Sequence, residues 1–386
     1  MHARHLVLIA ALAAPASLAA QETGAFVVRL GTDTLSLEQY TRTATQLRGE
    51  YVIRSPRSVH RIYAADLNPD GSIRRLEIVT HNISGAPGPL ETKASVDFVG
   101  DTAVIVSPRG DSTVTQKLAV PRGTMPFQLH IYGLLEQIAR QARATGKDSV
   151  AITALAGTNA PSGGVVRRRG GDTLTLAFTE GQLAGLGPFT FRLDSQGRLV
   201  WLTGRGSTVQ VDVERVASVP MAQAGPTFAS RPLGPLSPRD TARATLGSAS
   251  VWIDYSRPSR RGREIFGALE PWNKVWRTGA NAATQLNTSA DLVIGGTIVP
   301  AGIYSVWSLP SPTGWKLIIN KQHGQWGTQY SADSDLVRID LKVETLARPI
   351  EQFTIAFDAQ GGGAGAVLRM EWDRTRVSVP VAPRRP

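Results

Sequence analysis

Between Arg257 and Ala283 the chain runs Arg257-Pro258-Ser259-Arg260-Arg261-Gly262-Arg263-Glu264-Ile265-Phe266-Gly267, and on to Pro271-Trp272-Asn273-Lys274-Val275-Trp276-Arg277-Thr278-Gly279-Ala280-Asn281, with neither strand nor helix period. Irregular connections longer than about 12 to 15 residues are uncommon in compact domains and are usually functional or disordered. The tryptophans argue for order. Guanidinium groups are planar forks of donors that match carboxylate or phosphate, and asparagine and threonine add directional hydrogen bonds. These types predict a pocket for an anion or a sugar acid built from Arg257, Arg263, Trp276, Arg277, Asn281 and Thr284. A competing arrangement uses the same residues structurally. Each arginine would pair with a core-edge acid such as Asp254, Glu264 or Glu371 and pin a loop whose backbone groups need partners.

A second constellation lies downstream. His323 stands in the polar turn Lys321-Gln322-His323-Gly324-Gln325-Trp326-Gly327, with Asp333 and Asp335 shortly after. It is either a general base oriented by one of those carboxylates or an isolated surface histidine in a turn. Beyond residue 20 the histidines are His60, His81, His130 and His323, with no pair at ligand spacing, so no zinc site is expected. Asp333-Ser334-Asp335 lacks the glycine and distal glutamate of a calcium loop. No Gly-x-Ser-x-Gly elbow, phosphate-binding loop or dinucleotide fingerprint occurs, and no cofactor is expected.

The elements that must hold these residues are strands. Val251, Ile253 and Tyr255 share one strand face; Val337, Ile339, Leu341 and Val343 share another, opposite Arg338, Asp340 and Lys342. Further strands read at 291–294, 297–299, 303–309, 315–320, 353–357, 367–372 and 376–379, with Gly295-Gly296 and Thr313-Gly314 as hairpin turns. Upstream, short alternating strands begin at Phe26, Tyr51, Arg61, Ile73, Val96 and Ala103, and Asn68-Pro69-Asp70-Gly71 and Asp194-Ser195-Gln196-Gly197 read as turns. Asp33-Thr34-Leu35-Ser36-Leu37 recurs as Asp172-Thr173-Leu174-Thr175-Leu176, which suggests two related halves of one sheet. One helix is expected over Pro126 to Arg143, with Leu129, Leu134, Leu135, Ile138 and Ala142 on one face. The expected fold is mainly all-β: a curved antiparallel sheet domain carrying one helix, then an antiparallel β-sandwich.

Domain limits follow from composition. Residues 1–20, with Arg4 ahead of the apolar run Leu6 to Ala14 and then small residues, read as a signal peptide. Residues 21–220 form the N-terminal domain, 221–238 a Pro/Gly-rich linker, and 239–386 the C-terminal domain. The chain has 386 residues, no cysteine and a formal charge of +11. Export without cysteine leaves no disulfide, thiolate or lipoprotein anchor, and no later segment is apolar for the roughly 20 residues a spanning helix needs. A periplasmic or secreted location makes envelope anions or glycans the expected partners and nucleic acid an unexpected one.

At the irregular loop the sequence resembles a known bacterial family. Tyr255-Ser256-Arg257-Pro258, Gly262-Arg263, Ile265-Phe266-Gly267, Val275-Trp276-Arg277-Thr278-Gly279-Ala280-Asn281 and Ala283-Thr284 look like the signature of the domain of unknown function 2911 family. Pro300-Ala301-Gly302, Tyr304-Ser305, Trp315, Trp326-Gly327, Tyr330 and Glu371-Trp372 extend the likeness over about Leu236 to Val381. The resemblance implies an exported β-rich domain and no particular reaction. Three functions therefore stand as expectations: a non-catalytic module for a small anionic or saccharide envelope ligand, a hydrolase using His323 with Asp333 or Asp335, and a carrier of lipids or lipoproteins through the N-terminal sheet.

Overall fold

The computed structural model describes residues 21–385 other than 86, 111, 159, 185, 206–208 and 361–364, so the expected signal peptide at 1–20 lies outside the described residues. Among the described residues the N-terminal region folds as β1 (Glu22–Leu30), β2 (Asp33–Arg42), β3 (Gln46–Ile53), β4 (Val59–Leu67), β5 (Ile73–Asn82), β6 (Glu91–Val99), β7 (Thr102–Arg109), β8 (Ser112–Ala119) and β9 (Met125–Pro126). Helix α1 (Tyr132–Ala144) follows, then β10 (Ser149–Leu155), β11 (Ser162–Gly170), β12 (Thr173–Phe178), β13 (Phe189–Leu193), β14 (Leu199–Thr203), β15 (Asp212–Val216) and helix α2 (Met221–Ser230). All fifteen strands form one sheet, ordered β8 back to β1 and then β15 back to β9, joined where Ala25 of β1 lies opposite Val216 of β15. The repeated pentapeptides open β2 and β12. Each follows a hairpin turn whose ladder slips just before it, at Val28/Arg29 and at Arg168/Gly170.

Helix α1 lies in the hollow of this sheet. Its Leu134, Leu135, Ile138, Ala139 and Ala142 share one core with Phe26, Tyr51, Leu76, Leu176 and Phe191 from the strands. The concave face is thus occupied by the chain's own side chains. The helix begins at Tyr132 rather than Pro126, because Met125–Pro126 pair with β10 and the helix cap comes from a distant strand. Glu38 of β2 accepts the backbone N–H of Tyr132 at 2.7 Å and of Gly133 at 3.0 Å, and the Tyr63 hydroxyl at 2.7 Å. It supplies the anion that orphan N–H groups at a helix start favour.

Burial nevertheless raises the Glu38 carboxyl from 4.5 to about 7 against those three hydrogen bonds, with Glu136 adding to the rise. The folded state therefore binds more protons than the unfolded state between those values, and this group's contribution to stability falls as pH rises from about 4.5 to 7. Denaturant midpoints at pH 5 and pH 7.5 are expected to differ by less in Glu38→Gln than in the parent; an unchanged difference contradicts the assignment.

The stretch expected as a linker is partly helical, and the described residues hold two α-helices rather than one. Ala224 and Phe228 of α2 pack on the outer face of the sheet against Ala25, Leu37 and Val52, and Ser58 Oγ donates to the Phe228 carbonyl at 2.7 Å. Gly225-Pro226 reads as a breaker in sequence, yet sheet burial holds the helix together around Pro226. No helix among the described residues is long and apolar enough to cross a membrane.

The C-terminal region contains β16 (Arg239–Leu246), β17 (Ala249–Ser256), β18 (Thr284–Thr288), β19 (Leu292–Ile294), β20 (Thr297–Val299), β21 (Gly302–Leu309), β22 (Trp315–Asn320), β23 (Asp335–Ala359) and β24 (Ala366–Pro383). Its nine-stranded order is β16-β17-β18-β21-β22-β23-β24-β19-β20. Strand β23 makes the fold double over. It pairs with β22 through Asp335 to Leu341 and with β24 from Lys342 onward, so side chains of both layers, among them Ile253, Leu317, Phe353 and Trp372, meet in one core. Val343, expected beside Ile339 and Leu341, is exposed because it lies beyond that change of partner. Strands 367–372 and 376–379 are one strand, β24, while β16 and β18 carry too little apolar alternation to be read from sequence.

Candidate functional site

The irregular loop leaves β17 and attaches where the β23–β24 ladder slips around Ile350. That slip frees backbone groups for the loop. The Arg260 N–H donates to the Glu351 carbonyl at 2.7 Å and the Phe353 N–H to the Pro258 carbonyl at 2.9 Å. The loop also meets the N-terminal domain. Gly31, at φ 60°, lies so near the Arg261 carbonyl that a Cβ would sit 2.0 Å from it, and the Thr32 N–H donates to that oxygen at 3.0 Å. Arg261 pairs with Asp33 across the same seam.

Beside the seam is a cavity of about 170 Å³. The N-terminal domain contributes Leu30, Val209 and Gln210; the C-terminal domain contributes Arg261, Arg263, Glu270, Arg277, Asn281, Trp326 and Trp372, among others. Of the six residues predicted for the pocket, three line it. Arg263 is fixed by donation to the Arg260 carbonyl at 2.9 Å, the Ser259 carbonyl at 2.5 Å and Gln210 Oε1 at 2.9 Å. None of those is an acid. Arg277 makes no side-chain hydrogen bond among the described residues, and its Nε is buried without a partner. Asn281 completes the set, with φ at 61°.

The other three predicted residues are structural. Arg257 donates to Asp240 at 3.0 Å, to Thr354 Oγ1 at 3.0 Å and to the Phe353 carbonyl at 3.1 Å, so it is neutralised as the competing arrangement requires, though by Asp240. Asp254 and Glu371 are engaged elsewhere, with Arg239 and with Arg369 and Arg376. Trp276 is a core residue stacked on Trp372 at 5.8 Å, donating its indole N–H to the Gly279 carbonyl at 3.1 Å. Thr284 is buried and donates to the Thr278 carbonyl at 2.6 Å. It holds Thr278 at φ 51°, a region β-branched residues rarely occupy, and the Thr278 hydroxyl meets Ser308 Oγ at 2.8 Å.

Glu270 was missed. Nothing in its spacing marks it, because the loop folds it back against arginines seven residues on either side. Its carboxylate has no hydrogen bond or ion pair among the described residues. Burial raises it from 4.5 to about 7, with Arg277 and then Arg263 opposing the rise. Burial likewise lowers the pKa of Arg277 and of Arg263, but guanidinium stays charged at any working pH. Buried polar groups ordinarily find partners. Here Arg277 Nε lacks one, as does the indole N–H of Trp372.

Gly327 lets the Arg277 stem pass. A Cβ there would lie 2.2 Å from Arg277 Cδ and 2.5 Å from the Asn281 carbonyl oxygen. Gly327→Ala is expected to cost roughly 1–3 kcal/mol through overpacking, seen as a lower thermal midpoint; an unchanged midpoint contradicts this packing.

The histidine constellation does not assemble. His323 is exposed, forms no hydrogen bond to Asp333 or Asp335 among the described residues, and does not line the cavity beside the seam. Asp335 is engaged by Asn320, Tyr330 and Arg338 instead, and Asp333 is exposed in a short 3₁₀ turn. Strand register makes a pair that spacing did not show: His60 lies opposite His81, rings 5.8 Å apart, each against a glutamate, Glu50 and Glu91. No group of three or more histidines and acids among the described residues could hold a metal.

No curated protein matches this chain. Among solved structures it is similar to the crystal structure of a β-barrel-like protein of the domain of unknown function DUF1849 from Brucella abortus, at 12% identity over 51% of this chain and 94% of that one, with a TM-score of 0.34. The N-terminal half has no family assignment, whereas residues 237–381, the C-terminal half, match the family described as protein of unknown function (DUF2911).

Proposed function

We propose that this chain is an exported, non-catalytic binding module that holds a small anionic or saccharide envelope ligand in the cavity between its two domains. The observation that carries the proposal is Arg277, a half-buried guanidinium with no hydrogen bond or salt bridge among the described residues and only the charge of Glu270 nearby, facing a cavity that also receives Arg263. Desolvating a cation without a partner costs several kcal/mol, and an anionic ligand offsets that cost. Arg263 is already oriented by two carbonyls and Gln210, so little ordering is needed on binding. The hydrolase alternative is left without its histidine–carboxylate pair. The carrier alternative is left with a concave face already filled by α1.

Because Gln210 and Leu30 form one wall, the test uses the chain with both domains. Calorimetric titration against inorganic phosphate, uronic acids and peptidoglycan fragments is expected to give saturable binding of at least one anion, equally in Arg257→Ala. Binding of none overturns the proposal.

A further inference from the structure

We infer that the ligand of this cavity is a single acidic sugar ring: a carboxylate held by Arg263 and Arg277, hydroxyls shared with Glu270 and Asn281, and a ring face laid against Trp326. The inference rests on the binding reading above and narrows it to a substrate class. Trp326 is 49% exposed although the chain buries most of its large aromatic side chains. Its position is nonetheless fixed. The Trp326 N–H donates to Gln329 Oε1 at 3.1 Å, the Ala283 N–H to the Gln325 carbonyl at 3.1 Å, and the Gly327 N–H to the Asn281 carbonyl at 2.9 Å. An exposed indole on a fixed backbone at the edge of the cavity is a surface for the C–H face of a sugar.

Charge decides among anions. Arg261 is matched by Asp33, so the groups left facing the cavity are two guanidiniums and the Glu270 carboxylate. Above about pH 7, where Glu270 is ionised, they sum to one positive charge, which a monoanion neutralises and a dianion overshoots. Glu270 adds a second requirement. Phosphate offers at most one or two acidic hydroxyls beside its own charge, whereas a sugar places several neutral hydroxyls away from its carboxylate, donating to Glu270 and accepting from the Asn281 amide. Size sets the third limit, since about 170 Å³ is below the roughly 300 Å³ at which drug-sized pockets begin. One ring fits and a chain of rings does not. A hexuronic acid is one ring of that description, a monocarboxylate with several hydroxyls and one apolar face.

Calorimetry of the two-domain chain with D-glucuronate, D-glucose and inorganic phosphate, in the parent and in Trp326→Ala, tests this. Trp326 is exposed, so the variant is expected to keep its thermal midpoint. The expected result is glucuronate binding at least ten-fold tighter than glucose or phosphate, weakened about ten-fold in Trp326→Ala while any phosphate binding is unchanged. Phosphate binding as tightly as glucuronate, or glucuronate affinity indifferent to Trp326, overturns the sugar-acid assignment and leaves the anion reading standing. Glucose binding as tightly as glucuronate overturns it as well, and no binding of any probe overturns both readings.

Discussion

Arg277→Met is expected to weaken anion binding by roughly 10- to 100-fold, the range set by losing hydrogen bonds to a charged group worth about 1.5–3 kcal/mol, without lowering the thermal midpoint of the unliganded protein. The two halves of that expectation belong together. Methionine keeps the stem that passes Gly327 and removes only the guanidinium, which has no protein hydrogen bond to lose, while Glu270, already raised to about 7 by burial, can take up a proton in its absence. Replacing a buried charge by an apolar group of similar volume is often neutral or stabilising. A structural arginine behaves in the opposite way: Arg257→Met breaks three hydrogen bonds and lowers the midpoint while leaving affinity intact. Arg277→Lys retains the charge without the planar fork and falls between parent and methionine variant. A destabilised Arg277→Met that binds as the parent does would assign Arg277 to the frame of the loop.

The largest expected loss of stability is far from the cavity, at Glu136. Its side chain is 1% exposed and accepts from the Tyr40 hydroxyl at 2.8 Å, the Leu199 N–H at 2.7 Å, Arg215 at 2.6 Å and Arg140 at 2.9 Å. One carboxylate on α1 thus ties the helix to β2, β14 and β15, and Arg215 also lies over the Phe26 ring at 5.1 Å. Glu136→Leu leaves the Leu199 N–H without an acceptor, takes the shared carboxylate from Arg215, Arg140 and the Tyr40 hydroxyl, and leaves Arg215 with no acidic partner while Arg140 keeps Glu22. Removing one side of such a buried pair costs about 3–5 kcal/mol, and with about 2–4 °C per kcal/mol for a domain of this size the midpoint is expected to fall by roughly 10 °C. Scanning calorimetry checks it; a fall of less than about 2 °C shows the network to be dispensable.

The strands were legible because alternation reports which face is buried, and Ile253, Leu317 and Ile339 do point inward. What escaped depends on partners distant in sequence. Helix α1 starts late because Glu38 caps it from a separate strand, and α2 exists because an outer sheet face buries Phe228. Within the arginine-rich loop, spacing could not tell Arg257, which finds Asp240, from Arg277, which makes no hydrogen bond or salt bridge among the described residues. Trp276 and Trp326 look alike in sequence and end in opposite environments, one stacked in the core and one open. Glu270 carried no signal, since a lone glutamate in a loop acquires meaning only from the groups folded around it. His323 and its aspartates are near in sequence, and the Lys321 N–H even donates to the Ser334 carbonyl between those aspartates, yet no hydrogen bond among the described residues joins the imidazole to either carboxylate.

The most direct test follows the Nε–Hε resonances of the arginines by NMR while D-glucuronate or inorganic phosphate is added to the two-domain chain. Saturable shifts confined to Arg263 and Arg277, with Arg257 and Arg369 unmoved, are the predicted result. Resonances of Arg263 and Arg277 that stay in place throughout, or shifts spread evenly over the surface arginines, would contradict a binding site in the cavity between the domains.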